Sequence, residues 1–248
     1  MSGHSKWSTI KRAKAKEDAK RSKVFTRLIR ELTVAARMGG GDANANPRLR
    51  DAISKAQSAN MPKDTMMRAV SRGAGGDDGA NLEEITYEGY GTAGVAVLVE
   101  CMTDNKNRTV AEVRHAFSKH GGNMGTTGSV GFMFEKKGVI SFEPGANEDV
   151  ILEKALEAGA DDVVTNDDGS VDVITAPDMF TSVKEAMDAA KLTYAHADIS
   201  MEAVTKVTLD LDAAEKNLAL LDRLEELDDV QAVYSNVDIP EDVMEKLV

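Results

Sequence analysis

Residues 138–199 read GVISFEPGANEDVILEKALEAGADDVVTNDDGSVDVITAPDMFTSVKEAMDAAKLTYAHADI. The run divides at its turn residues. Gly138–Phe142 predicts a strand and Glu148–Ala158 a helix. Asp162–Thr165 and Val171–Ile174 predict strands joined by the turn Asn166-Asp167-Asp168-Gly169. Pro177–Ala190 predicts a second helix, and Tyr194–Ile199 a fourth strand. The order βαββαβ is that of the ferredoxin-like split unit, so residues 136–203 are expected to fold as a self-contained domain.

Working outward, both flanks carry pieces of another sheet. Before the run, Ile85–Tyr90 and Val95–Met102 predict strands, and Asn107–His120 a helix with Val110, Val113 and Phe117 on one side. A further strand is expected near Val130–Glu135. After the run come a strand at Val204–Leu209, an amphipathic helix at Ala213–Leu227 and a strand at Val230–Ser235. The expectation is one discontinuous α/β domain, 80–135 plus 204–248, into which 136–203 is inserted. Two consecutive domains are the alternative.

Residues 1–76 read as helical, closed by the unpatterned stretch Gly73-Ala74-Gly75-Gly76-Asp77-Asp78-Gly79. From Glu17 to Met38, Phe25, Leu28, Ile29, Leu32 and Ala36 recur at helical steps and share one face. Lys16, Lys20, Lys23, Arg27 and Arg30 fall roughly opposite, as one positive stripe. Gly39-Gly40-Gly41 ends this helix. Pro47 opens a second, with Leu49, Ile53 and Ala56 inward. Pro62 opens a third, with Met66, Met67 and Val70 inward and Gly73 as its stop. The fold class is therefore α+β: an N-terminal three-helix domain followed by two small α/β domains of ferredoxin-like type, one inserted in the other.

Charge is distributed as unevenly as structure. The net formal charge of the 248 residues is −12. Residues 1–76 hold 17 Lys and Arg against 6 Asp and Glu, or +11; the remainder holds 13 against 36, or −23. A basic module joined to an acidic body points to nucleic acid as the partner of the basic part. Beyond the stripe, Lys6, Lys11, Arg12, Lys14 and Arg21 crowd the first 30 residues, interrupted only by Glu17 and Asp18. Such one-sign density repels itself unless it meets phosphate. Phosphate contacts position a protein without reading sequence. Arg48 and Arg50, with Asn44 and Asn46, are the few candidate base readers.

Other chemistry finds little support. A single cysteine excludes an internal disulfide and a multi-cysteine metal site. Four scattered histidines give no zinc spacing. Aromatic content of 4% with one Trp argues against an aromatic stacking platform. No apolar run approaches the roughly 20 residues that span a bilayer. The basic N-terminus is not followed by the apolar stretch of a secretory signal. The expected location is therefore the cytoplasm. Gly89-Tyr90-Gly91-Thr92-Ala93-Gly94 matches G-x-G-x-x-G, but it lies between two strands and reads as a hairpin turn. Cys101, in an apolar strand, reads as core. The Gly-rich stretch Gly121–Gly131 reads first as a helix-to-strand loop and second as an anion cradle. Paired acids such as Asp161-Asp162 and Glu225-Glu226 read as solvated faces. No catalytic constellation, cofactor loop or metal site is expected.

Several segments resemble the YebC family of bacterial regulatory proteins. They include Gly3-His4-Ser5-Lys6-Trp7, Lys23–Ala36, Gly39-Gly40-Gly41-Asp42, Asn46-Pro47-Arg48-Leu49-Arg50 and Asn60-Met61-Pro62. Tyr87-Glu88-Gly89-Tyr90-Gly91, Asp104-Asn105-Lys106-Asn107-Arg108-Thr109 and Lys137-Gly138-Val139-Ile140 continue the likeness along the whole chain. The stretch Ser8–Lys16 departs in detail, and His120 stands where relatives commonly have Cys. The resemblance implies a cytoplasmic three-domain α+β protein without enzyme activity. It further implies a DNA-binding transcriptional regulator or, as for the mitochondrial relatives, a translation factor.

The expectation that follows is a regulator that contacts duplex DNA phosphates through Lys6, Lys11, Arg12, Lys14, Lys16, Lys20, Arg21, Lys23, Arg27, Arg30, Arg48 and Arg50. A homodimer would then set half-site spacing. The alternative is a factor that binds ribosomal RNA on the ribosome and relieves stalling at proline-rich stretches. His4 and Trp7 of the tip, and the 121–131 loop, would then reach into an RNA-lined site.

Overall fold

The computed structural model describes residues 17–75, 82–166 and 168–247. Its N-terminal part is all helical: α1 (Glu17–Gly39), α2 (Pro47–Ser58) and α3 (Lys63–Ala74). The helices share one core of Leu32, Ala35, Ala36, Leu49, Ala52, Ala56, Met61, Met66, Ala69 and Val70, with Phe25, Leu28, Ile29 and Ile53 packed against its edge. The apolar spacing of α1 thus produces the expected inward face. Asn46 starts α2. Its side-chain oxygen accepts from the Leu49 amide at 3.1 Å, and its Nδ2 donates to the carbonyls of Ala35 and Gly40, each at 2.8 Å. One side chain therefore caps one helix and closes the end of another. Gly39 leaves room for it, because a Cβ at 39 would lie 2.6 Å from Asn46 Nδ2.

Two expectations for α3 change. Met67 points outward, 56% exposed, while Met66 and Val70 are buried. Gly73 is not a stop: it lies inside the helix, where a Cβ would meet the Thr33 carbonyl oxygen at 2.2 Å. Its missing side chain is what lets α3 approach α1 so closely.

The remainder holds two four-stranded antiparallel sheets. The first runs β3-β1-β2-β9, from β1 (Glu83–Tyr90), β2 (Ala96–Thr103), β3 (Asn123–Met124) and β9 (Val230–Ser235). β1 and β2 form a hairpin through Gly91–Val95, confirming that the glycine motif there is a turn. Helices α4 (Lys106–Lys119) and α7 (Leu211–Glu225) cover one face and bury Val95, Val97, Val99, Cys101, Val113, Phe117, Leu220 and Leu224. A short parallel pair, β8 (Val207–Thr208) with β10 (Val237–Asp238), and a terminal helix α8 (Glu241–Leu247) finish this part.

The second sheet consists of chain lying between the strands of the first. It contains β4 (Phe134–Phe142), β5 (Asp162–Thr165), β6 (Val171–Thr175) and β7 (His196–Ala203) in the order β5-β6-β4-β7. Helices α5 (Glu148–Glu157) and α6 (Phe180–Ala189) pack on one face around Ile140, Phe142, Ile151, Val173, Val183 and Met187. This is the ferredoxin-like strand order, and the architecture is α+β as expected. The strand expected near Val130–Glu135 begins only at Phe134, because Gly131–Met133 form a 3-10 turn; from Phe134 it runs on to Phe142, so β4 crosses the expected boundary at 135/136. It pairs with β7 from Phe134↔Ala203 to Ser141↔His196. A separate cluster of Ala96, Leu98, Val130 and Phe134, flanked by Tyr90, Met133, Met201, Ala203 and Tyr234, seats the base of this strand pair against the outer face of the first sheet.

Candidate nucleic-acid interface

The described part of the basic stripe lies opposite the apolar face of α1, as its spacing requires, but that side meets the body of the protein. Lys6, Lys11, Arg12, Lys14 and Lys16, and the tip residues His4 and Trp7, lie outside the described residues. Lys20 and Arg21 fall within α1, but their side chains are likewise outside the description. Lys23, Arg27 and Arg30 are described, and all three reach into the body. Lys23 Nζ donates to the Glu226 carbonyl at 2.7 Å, and Arg27 Nη2 donates to the Glu225 carbonyl. Arg30 donates to the carbonyls of Met102 and Asp228 and sits 3.4 Å from the Asp229 carboxylate. Glu225 and Glu226 close α7, whose last-turn carbonyls have no partner within the helix and carry its partial negative charge. Cations supplied by α1 therefore satisfy the C-terminal end of α7. Burial lowers the Arg27 guanidinium from its ordinary value; Glu225 opposes this and Arg30 adds to it.

Asp229 is the hub of that contact. Only 1% of the residue is exposed. Its Oδ2 accepts from Arg108 Nη2 and Thr109 Oγ1, each at 2.8 Å, and from Thr103 Oγ1 at 3.2 Å. Burial alone would raise its carboxyl, but the bonds from Arg108, Thr109 and Thr103 outweigh it and hold the group below the usual carboxylate range. Asn105 caps α4 by accepting from the Arg108 amide at 3.1 Å. The segment Asp104–Thr109 thus builds a polar corner that is exposed on its outer side and closes over a buried carboxylate.

Arg48 and Lys55 add two more moorings. Arg48 donates to Glu31 at 2.7 and 3.0 Å and bridges to Glu84 of β1. The hydrogen bonds it donates to Glu31 and Glu84 raise its guanidinium above the ordinary value. Lys55 pairs with Asp198 of β7 at 2.7 Å and with Asp51 at 3.4 Å. Burial pulls the Lys55 ammonium down, yet Asp198 and Asp51 together raise it. Of the expected contact residues, Arg50 is described and exposed; its Nε donates only to its own loop at the Ala43 carbonyl, 3.3 Å away.

Periodicity alone did not single out three further cations, Lys63, Arg68 and Arg72. All lie exposed on or beside the outer face of α3. The signal for Arg68 and Arg72 was their i, i+4 spacing beside the outward Met67. None of Arg50, Lys63, Arg68 and Arg72 forms an ion pair with a described residue.

The 121–131 loop has an anion already. Glu88 of β1, 6% exposed, accepts from the amides of Gly128, Val130 and Gly131, each at 2.7 Å. Burial would raise this carboxyl, but the three amides outweigh it and lower it. Tyr90 Oη also donates to the Ser129 carbonyl at 2.9 Å. The cradle expected as a second reading exists, and the protein's own carboxylate fills it. Cys101 is 3% exposed, and burial pushes its thiol up to about 12. Among the described residues, no group of three metal-ligating side chains gathers, and no helix is long and apolar enough to cross a membrane.

Comparison with known proteins places these features in a family. The chain is 61% identical over 247 residues to a probable transcriptional regulatory protein of Francisella philomiragia, covering all of both chains. It is also 61% identical over 244 residues to one of Coxiella burnetii, covering 98% of this chain and all of that one. These names describe regulatory proteins rather than enzymes. The crystal structure of a conserved hypothetical protein from Aquifex aeolicus matches with a TM-score of 0.81 at 46% identity, over 92% of this chain and 94% of that one. Residues 5–76 match the TACO1/YebC N-terminal domain, and residues 82–237 match the TACO1/YebC second and third domains. The three-helix module and the two interleaved sheets thus coincide with those matched regions, and the chain belongs to the TACO1/YebC family.

Proposed function

We propose that this chain is a cytoplasmic transcriptional regulatory protein that holds duplex DNA by its phosphates through the helical domain. The names of the relatives support the regulatory part. The observation that carries the DNA contact is the set Arg50, Lys63, Arg68 and Arg72, exposed and without carboxylate partners among the described residues, on a domain of charge +11 beside a body of −23. In the remainder of the chain most cations already face an acid. Lys106 pairs with Glu83, Lys137 with Glu135 and Asp161, Lys154 with Glu153 and Glu157, and Lys216 with Asp212. Unpaired positive charge on rigid helices is an acceptor-seeking surface, and duplex phosphate is a dense supply of acceptors. Lys6, Lys11, Arg12, Lys14, Lys16, Lys20 and Arg21 extend that charge along the chain.

Crosslinking in cells, followed by sequencing of both bound DNA and bound RNA, tests the reading. Enrichment at promoters is expected. Enrichment on one ribosomal RNA region with little DNA would overturn it in favour of a ribosome-acting factor.

A further inference from the structure

We propose that docking of the helical domain on the body is a latch that competes with nucleic acid for the same cations. This rests on the phosphate-binding reading above and assigns a regulation to it. Lys23, Arg27 and Arg30 spend their donors on the carbonyls of Met102, Glu225, Glu226 and Asp228 and on the Asp229 carboxylate. Arg48 is held by Glu84, and Lys55 by Asp198. Each of these anchors joins a cation of the helical domain to an oxygen of the body. A helix C-terminus and a row of carboxylates present negative acceptors in series, the same chemistry that a phosphate backbone presents. In the docked form these five side chains direct donors at oxygens of the body instead of at phosphate. Arg50, Lys63, Arg68 and Arg72 remain exposed and supply the first contact.

The two units are otherwise separate in the ways that matter for release. The helical core contains no residue of the body, and the body's cores contain none of the helical domain. A single covalent connection, the chain between Ala74 and Glu83, joins them. Contacts between partly exposed charges weaken as salt shortens the Debye length. A polyanion that outbids the body's oxygens therefore frees the stripe and gains five further contacts.

The test uses the full chain with donor and acceptor dyes on Ser58→Cys in α2 and Ser182→Cys in α6, both exposed. Cys101 is buried and stays unlabelled. Energy transfer is expected to fall as salt rises from about 50 mM to about 1 M, and to fall on adding a DNA duplex at low salt. The double variant Glu84→Gln with Asp198→Asn removes two negative charges from the body's anchors and leaves every cation in place. It is expected to open at lower salt and to bind the duplex roughly 5–30-fold more tightly, since each such pair is worth up to about fivefold. The pair Glu185→Gln with Glu215→Gln makes the same charge change away from the anchors, and its affinity is expected to stay within about twofold of the parent. An equal gain in this control overturns the latch. Duplex binding with the dye distance unchanged also overturns it and leaves the phosphate reading standing. Opening in salt with no duplex binding by any form overturns the phosphate reading, and the competition falls with it.

Discussion

Replacing Glu88 by Gln tests whether a single internal carboxylate organises the Gly-rich loop. The change keeps shape and size and removes the charge. In the parent, Oε1 accepts from the Gly128 amide, and Oε2 from the amides of Val130 and Gly131, all at 2.7 Å. A carboxamide supplies one acceptor oxygen and two donor hydrogens. Its better orientation keeps the oxygen at the Oε2 position, preserves two bonds as neutral ones, and turns an N–H toward the Gly128 N–H. A hydrogen bond to a charged group is worth about 1.5–3 kcal/mol and a neutral one about 0.5–1.5 kcal/mol. Losing one and weakening two, at a residue this buried, gives an expected cost of about 2–4 kcal/mol. The assay is urea unfolding of the full chain, together with amide exchange at Gly128, Val130 and Gly131. The parent is expected to protect these amides, and Glu88→Gln to lose protection there first. The pH dependence supplies an internal control. Because the folded carboxyl is lowered, its contribution is complete above the unfolded value near about 4.3 and is lost as pH falls through the folded value. The gap between parent and variant should therefore close in acid. An unchanged midpoint at neutral pH, with full protection at all three amides, would refute the reasoning.

Gly73→Ala should destabilise the helical domain by about 1–3 kcal/mol, because the added methyl meets the Thr33 carbonyl at 2.2 Å, and overpacking outweighs the gain in helix propensity. A higher urea midpoint for that variant would show that α1 and α3 can part without cost. The Cys101 thiol, buried in β2 and raised to about 12, should resist alkylation at neutral pH until the first sheet unfolds. Rapid labelling of the native protein by a thiol reagent would show that this sheet opens locally.

Much of this architecture was legible in the residues. The βαββαβ run needed only turn residues and strand-length apolar segments. The apolar face of α1 needed only its three- and four-residue spacing. What spacing cannot report is what lies opposite an apolar face. Lys23, Arg27 and Arg30 occupy the polar side of α1 as their positions require, yet that side meets the carbonyl end of α7 and Asp229, some 200 residues later in the chain. Long-range neighbours of this kind leave no periodic trace. Apolarity alone puts Met67 inward, although Met66 and Val70 already complete the inward turn. The usual role of glycine at helix ends suits Gly73 as a stop, but a close helix crossing is the stronger demand there. The terminal helix Glu241–Leu247 follows Pro240 and is too short for its pattern to stand out. Total charge marks the helical domain as the basic part, but which of its cations face outward depends on the docking.

The attachment of the inserted unit has a mechanical consequence. Its chain enters along β4 and leaves along β7, and the two pair from Phe134↔Ala203 onward. The stem is thus a two-strand ladder, bolted at its base by Phe134, Met201 and Tyr234. Bending such a stem shears hydrogen bonds along its length, so the two sheets resist hinging about their junction and load placed on one is carried into the other.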